Sequence, residues 1–329
     1  MDRRRILNVL LKLGLATTVM VLLVNWVGWN KAMEATLEAE LPWLMSLCGV
    51  VLLGRGIEAI QMRVLLGKLH VRISVCRIFL ANALSSFYSL VVPGDVIASA
   101  AKWSNLSAAT GKKSLILNAI VYNRIALLTP VLAVGTVALA IENPFAEYYL
   151  VWIFMLCGCL IMGLGLGLFH PTIGMYGSGL CRWLTSPFPQ RIQELVEHVL
   201  TSLEGFREFR FSDHLGVYAF SILALLINVS MLGCATHALG LELSALVLFW
   251  VSVVLIAARQ VPLTVGNIGV QEGLLIVLLG LYGVEPERAL AVGFLLYTGH
   301  LFSLIGLLYQ LALSLSLARS GNSFDLRAT

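Results

Sequence analysis

The chain has 329 residues, 59% of them hydrophobic and 12% charged, with a mean hydropathy of +0.89 and a formal net charge of +4. Soluble domains carry about 45–50% apolar and about 25% charged residues, so this composition excludes a soluble globular protein. It specifies an all-α polytopic membrane protein with a single transmembrane domain, because a bilayer core about 30 Å thick needs about 20 predominantly apolar residues per helix.

In chain order, the first apolar run covers 6–29, behind Arg3, Arg4 and Arg5. It is longer than the apolar core of a secretory signal, about 7–15 residues, and no small-residue cleavage site closes it, so it is expected to be a retained span. Further uninterrupted spans are expected at about 42–66, 114–141, 147–169, 214–239 and 287–317, giving about six in all. Two apolar segments are broken. The one from about 74 to 103 contains Val92-Pro93-Gly94-Asp95, and the one from about 245 to 283 contains Val261-Pro262-Leu263-Thr264-Val265-Gly266-Asn267-Ile268-Gly269. Interrupted hydrophobic segments in corresponding halves of a membrane protein point to a transport site. Between the halves, 170–213 is the sizeable non-membrane connection. Its Ile192, Leu195, Val196, Val199, Leu200, Leu203 and Phe206 recur at helical spacing opposite Arg191, Glu194, Glu197, Glu204 and Arg207, the pattern of an amphipathic helix at the cytoplasmic interface. Packing on the bundle is favoured over lipid sensing, because the acidic residues blunt attraction to anionic lipid.

Cytoplasmic loops collect Lys and Arg, and with the N-terminus inside every connection agrees with that rule. The inside set is Arg3, Arg4, Arg5 and Lys12; Arg63, Lys68, Arg72 and Arg77; Lys102, Lys112 and Lys113; Arg182, Arg191, Arg207 and Arg210; and Arg319 and Arg327. Lys31 and Arg288 fall outside. For 67–77 and 102–113 both to be cytoplasmic, the segment between them enters from inside and returns, as a re-entrant hairpin. The segment at 245–283 then enters and leaves from outside, between Glu242 and Glu285. The chain is therefore expected to hold two inverted repeats, about 42–141 and 214–317, each a helix, a re-entrant hairpin and a helix. A full crossing by each broken segment would instead place Lys102, Lys112 and Lys113 outside, against the charge rule.

Charges near the bilayer centre are costly and mark functional positions by default. Here they are Arg55, Glu58, Asp95, Arg124, Arg259 and Glu272. Arg55 and Glu58 lie three apart on one helical face, which suits mutual neutralisation as well as it suits contact with a substrate. Arg124, beside Tyr122 and Asn123, fits an internal polar network or an anionic ligand. Arg259 has a snorkelling alternative. Unpaired backbone at membrane depth needs protein or water around it, so Pro93, Gly94, Pro262, Gly266, Asn267 and Gly269 are expected to line a cavity. Half-helix N-termini beyond the breaks suit a phosphate or carboxylate. Asp95 is placed chiefly to cap such an end, while Glu272 divides between a cap or ion pair and a site role.

No soluble active site is legible. His70, His170, His198, His214, His237 and His300 show no metal spacing, and no catalytic triad order, P-loop or dinucleotide fingerprint is present. The cysteines are scattered, and Cys157-Gly158-Cys159 lacks the two-residue gap of zinc and redox pairs. No enzymatic activity, metal, cofactor or nucleic-acid partner is expected, and homo-oligomers are left open.

The stretch from Gln260 to Gly273, with Pro262, Gly266, Asn267, Gly269 and Glu272, resembles the proline, glycine and glutamate signature of the lysylphosphatidylglycerol synthase transmembrane-region family, the YbhN-like proteins. Pro93-Gly94-Asp95 followed by Lys102 resembles that family's earlier Pro-Gly element, where Arg is commoner than Lys. The resemblance covers essentially the whole chain. The family includes the multiple-peptide-resistance proteins, whose membrane domain moves aminoacylated phosphatidylglycerol between leaflets and whose soluble domain makes it. The soluble domain is not expected here, since a short tail follows Leu317. The resemblance implies a flippase or scramblase of the bacterial inner membrane, for an anionic or aminoacylated phospholipid or a lipid-linked headgroup. Arg55, Arg124 and Arg259 would contact the phosphate, while Glu58, Asp95 and Glu272 hold the network or meet a cationic part. The alternatives are a membrane-embedded enzyme or accessory subunit acting on lipid-linked sugars, and an ion or small-solute transporter.

Overall fold

The computed structural model is all-helical in its described residues, which are 20–23, 25–91, 95–144, 148–169, 185–190, 209–260, 264 and 267–312, with scattered positions before 20 and between 176 and 206. The first half holds α1 (Trp29–Leu37), α2 (Leu41–Lys68), α3 (Val75–Val91), α4 (Asp95–Thr110), α5 (Lys113–Glu142) and α6 (Tyr148–Phe169). The second holds α7 (Phe211–Ala238), α8 (Ala245–Ala258), α9 (Val270–Gly280) and α10 (Pro286–Leu296). α10 passes through a 3-10 turn (Tyr297–His300) into helix over 301–312.

Among the described residues, four helices are long and apolar enough to cross a membrane: Leu41–Lys68, Lys113–Glu142, Phe211–Ala238 and Pro286–Ala312. They coincide with expected spans to within a few residues, and α6 coincides with the one expected at 147–169. Two features add to the expected spans. The connection after residue 29 contains α1, started where Gly28 turns the chain at φ +91° and packed against α10. The last span is not a continuous α-helix, because the 3-10 turn interrupts it beside the polar residues Thr298 and His300. About half of the span at 6–29 and of the connection at 170–213 lies outside the described residues, as do Pro93, Gly94, Pro262 and Gly266.

Two apolar cores stabilise the bundle. One gathers Val251, Leu275 and Leu290 of the second half with Leu47 and Val131 of the first. The other joins Leu65, Ile78, Leu106, Ile116 and Tyr122 to Val217 and Phe206. Phe206 stacks on Tyr122 at 4.2 Å between ring centroids, so the long connection packs on the bundle at this point. Between the halves, α2 lies along α7, where Gln61 Nε2 donates to Ser221 Oγ at 3.1 Å and to the Val217 carbonyl at 3.3 Å. α5 meets α8 at Gly135, where a Cβ would overlap the Val253 side chain. The 301–312 helix meets α3 at Gly306, where a Cβ would overlap the Ala83 carbonyl.

One turn is built twice. α2 ends with His70 at φ +54°, its N–H donating to the Gly67 carbonyl at 3.1 Å and the Val71 N–H to the Leu66 carbonyl at 2.9 Å. α7 ends with Gly240 at φ +67°, its N–H donating to the His237 carbonyl at 2.9 Å and the Leu241 N–H to the Thr236 carbonyl at 3.0 Å. Both are Schellman motifs, which satisfy the last helical carbonyls through a left-handed residue. Four residues later, Ser74 and Ser244 each accept an N–H at the start of the next helix, from Arg77 at 3.3 Å and Val247 at 3.2 Å. The parallel extends to Gly111 (φ +70°) and Gly283 (φ +74°), which precede α5 and α10.

Candidate functional site

A polar cavity of about 360 Å³ is lined by residues of both halves. α2 contributes Arg55 and Glu58, one turn apart on the same face. Arg55 Nη1 donates to Glu58 Oε2 at 3.1 Å, and its guanidinium lies 5.3 Å from the Phe302 ring centroid. The pair is half-buried and faces the cavity, so internal neutralisation and a lining position coexist. α5 contributes Arg124, on a stripe with Ile120, Leu127 and Val131 at helical spacing. Pro130 interrupts the hydrogen bonding of α5 beside that stripe, and the Thr129 hydroxyl donates to the Ile125 carbonyl at 2.9 Å.

Residues on both sides of the second break line the cavity or fix its wall. Arg259 follows α8 and reaches across the break, its Nε and Nη2 donating to Gln271 Oε1 at 3.2 and 2.7 Å. It lines the cavity, which replaces the snorkelling alternative. Asn267 holds a left-handed backbone at φ +57°, a conformation that Asn tolerates better than most residues, and it faces the cavity. Gly269, at φ +84°, starts α9. Its N–H donates to Glu272 Oε2 at 2.6 Å. Glu272 is fully buried against Gly293, where a Cβ would come within 3.0 Å of its Cγ, and Tyr297 lies in its electrostatic reach. Glu272 thus caps α9 from behind the cavity wall, the first of the two roles that the sequence leaves open for it.

Gln271 and Lys102 also line the cavity, and neither is among the site candidates read from the sequence. Gln271 is the partner that fixes Arg259. Lys102, expected in a cytoplasmic loop, lies inside α4 because that helix runs on to Thr110. It lines the cavity within electrostatic reach of Glu58, Arg124 and Arg55. Ser99 and Lys102, three apart, share a lining face, and that polar face lowers the apolar content of α4 enough to make it read as a loop. Asp95 opens α4; its side chain lies outside the described residues, as do Pro93, Gly94, Pro262 and Gly266.

Among the described lining residues, four cations (Arg55, Lys102, Arg124 and Arg259) face one carboxylate, Glu58. A charge at the centre of a membrane helix costs about 2.5–3.5 kcal/mol on insertion scales. A set of like charges at one place repels itself unless an anion enters, and guanidinium groups suit a phosphate because they donate in a fixed fork.

Neither the curated proteins nor the solved structures hold a significant match to this chain. The model of the lysylphosphatidylglycerol synthase TM region family matches residues 9–309, from before α1 to within the last helix and across both breaks, and the chain belongs to that family of membrane proteins related to lipid handling.

Proposed function

We propose that this protein moves a phosphate-bearing lipid headgroup across the bacterial inner membrane, as a flippase or scramblase without bond chemistry of its own. One observation carries the reading: four cations from α2, α4, α5 and the second break converge on one cavity that holds a single described carboxylate. Arg55, Lys102, Arg124 and Arg259 contact the phosphate. Glu58 holds Arg55, Gln271 holds Arg259, and Glu272 fixes the break by capping α9.

In this reading the broken segments are re-entrant hairpins in inverted repeats. Helix lengths support it: α8 has 14 residues and α9 has 11, or about 21 and about 16 Å at 1.5 Å per residue, short of a core about 30 Å thick. The twice-built turn supports it as well, since it sits before both broken segments and carries opposite charge, Arg72 in the first and Glu242 in the second. After the broken segments, Gly111 leads into Lys112 and Lys113, whereas Gly283 leads into Val284 and Glu285. Basic turns belong inside, so the first pair of turns is cytoplasmic, with the N- and C-termini, and the second is outside. Inverted repeats meeting at a midplane site are the usual basis of alternating exposure.

The test is a vesicle assay with the purified protein and fluorescent phosphatidylglycerol, in which dithionite quenches the outer leaflet. Translocation predicts loss of the inner-leaflet fluorescence that protein-free vesicles protect, and Arg124→Ala slows it by about tenfold or more, the scale of one hydrogen bond to a charged group. An unchanged protected fraction for anionic and aminoacylated headgroups alike contradicts the proposal.

A further inference from the structure

The cavity also carries neutral polar atoms that meet no protein partner among the described residues. Asn82 of α3 is 7% exposed, and both ends of its amide are unpaired. Thr264 in the second break and Ser303 in the last helix are each 2% exposed, with hydroxyls in the same condition. The Oδ1 atoms of Asn123 and Asn267 join them. All five residues line the same cavity as the cations. A buried donor or acceptor left unpaired costs about 1–3 kcal/mol. Native proteins carry few of them, and each calls for an explanation. Six such atoms on five residues around one cavity, drawn from both halves, form a set of groups suited to a ligand that donates and accepts hydrogen bonds.

The chemistry of the lining sets which ligand that is. Amides and hydroxyls donate and accept, as the hydroxyls of a polyol do, whereas an ammonium has three donors and no acceptor. The described carboxylate in the lining, Glu58, is already paired with Arg55 at 3.1 Å, and an ammonium entering the cavity meets four cations. Asp95 is the single ionisable residue between 91 and 98, so it cannot by itself reverse that balance. We infer, resting on the translocation reading, that the headgroup this cavity selects is a phosphate joined to a polyol or sugar, and that headgroups bearing an amino acid are disfavoured. The polyol has two sources, the glycerol of a phospholipid or the sugar of an isoprenoid-linked phosphosugar, and both present the same groups to the site.

Binding to the full chain in nanodiscs separates the cases. The probes are fluorescent phosphatidylglycerol, phosphatidic acid, lysylphosphatidylglycerol and an isoprenyl phosphoglucose. The expected result is at least tenfold tighter binding of phosphatidylglycerol or the phosphoglucose than of the lysyl lipid, and the tighter of the two names the source. Equal or tighter binding of the lysyl lipid overturns the inference. Asn82→Ala and Thr264→Val should each lower the preference for phosphatidylglycerol over phosphatidic acid by about fivefold, one neutral hydrogen bond. Ser303→Ala supplies the same comparison if Asn82→Ala fails to fold. An unchanged preference in the folded variants means that the orphan atoms serve water alone, and it overturns the polyol contact. Translocation fails separately: selective binding with no lipid movement in vesicles removes the transport reading and supports the selectivity, while movement without selectivity does the reverse.

Discussion

Arg259 and Gln271 bridge the second break: the guanidinium, at the end of α8, donates two hydrogen bonds to the amide oxygen in the first turn of α9, at 2.7 and 3.2 Å. The cation is thereby held toward the cavity while one carbonyl oxygen absorbs two of its donors. Gln271→Leu removes the acceptor and leaves the charge in place, so lipid movement should fall by about tenfold, the scale of a hydrogen bond to a charged group. Arg259→Lys lacks the fork and should not restore full rate. The vesicle quench rates of the two variants check this.

Glu272 governs the shape of the same break through stability. With the Gly269 N–H buried and the carboxylate its acceptor at 2.6 Å, Glu272→Ala leaves a buried donor unmade and opens a space beside Gly293. The expected cost is about 2–3 kcal/mol. A fall in the unfolding midpoint in detergent, larger than that of Gln271→Leu, is the measurement.

The glycines at helix crossings separate packing from propensity. Gly135→Ala pushes a methyl into Val253, and Gly306→Ala pushes one into the backbone at Ala83, so each should destabilise by about 1–3 kcal/mol, with Gly306 the worse because backbone yields less than a side chain. Gly56, in α2 with nothing near its missing Cβ, should gain up to about 1 kcal/mol as Ala. Thermal unfolding of the three variants orders them.

Topology has its own test. Lys112→Cys and Glu285→Cys, in a background without the native thiols, should react with an impermeant maleimide from opposite faces of the membrane, Lys112→Cys from the cytoplasm. Labelling of both from one face removes the inverted repeat.

Much of this was legible in the sequence because hydropathy and loop charge are local signals. The spans now seen as α2, α5, α6 and α7 follow from apolar runs alone. Arg55, Glu58, Arg124 and Arg259 line the cavity, since a charge in an apolar run has few other places to go. Lys102 was hidden because the cavity face of α4 is polar, and an average over the helix reads that face as a loop. The twice-built turn is written as Leu69-His70-Val71-Arg72-Ile73-Ser74 and Leu239-Gly240-Leu241-Glu242-Leu243-Ser244, alike in its first Leu and last Ser, and a comparison of the halves brings it out. The role of Glu272 was not legible, because a carboxylate three residues after a glycine caps a helix or faces a ligand with the same spacing.

The most direct test of the central claim, that the cavity between the two broken segments opens to each side in turn, is the reactivity of Asn228→Cys, a lining position on α7. In proteoliposomes of the cysteine-substituted protein, an impermeant thiol reagent applied from either side should label it, and glycerol phosphate should slow both reactions. Labelling from one side alone, at a rate indifferent to glycerol phosphate, would contradict the account.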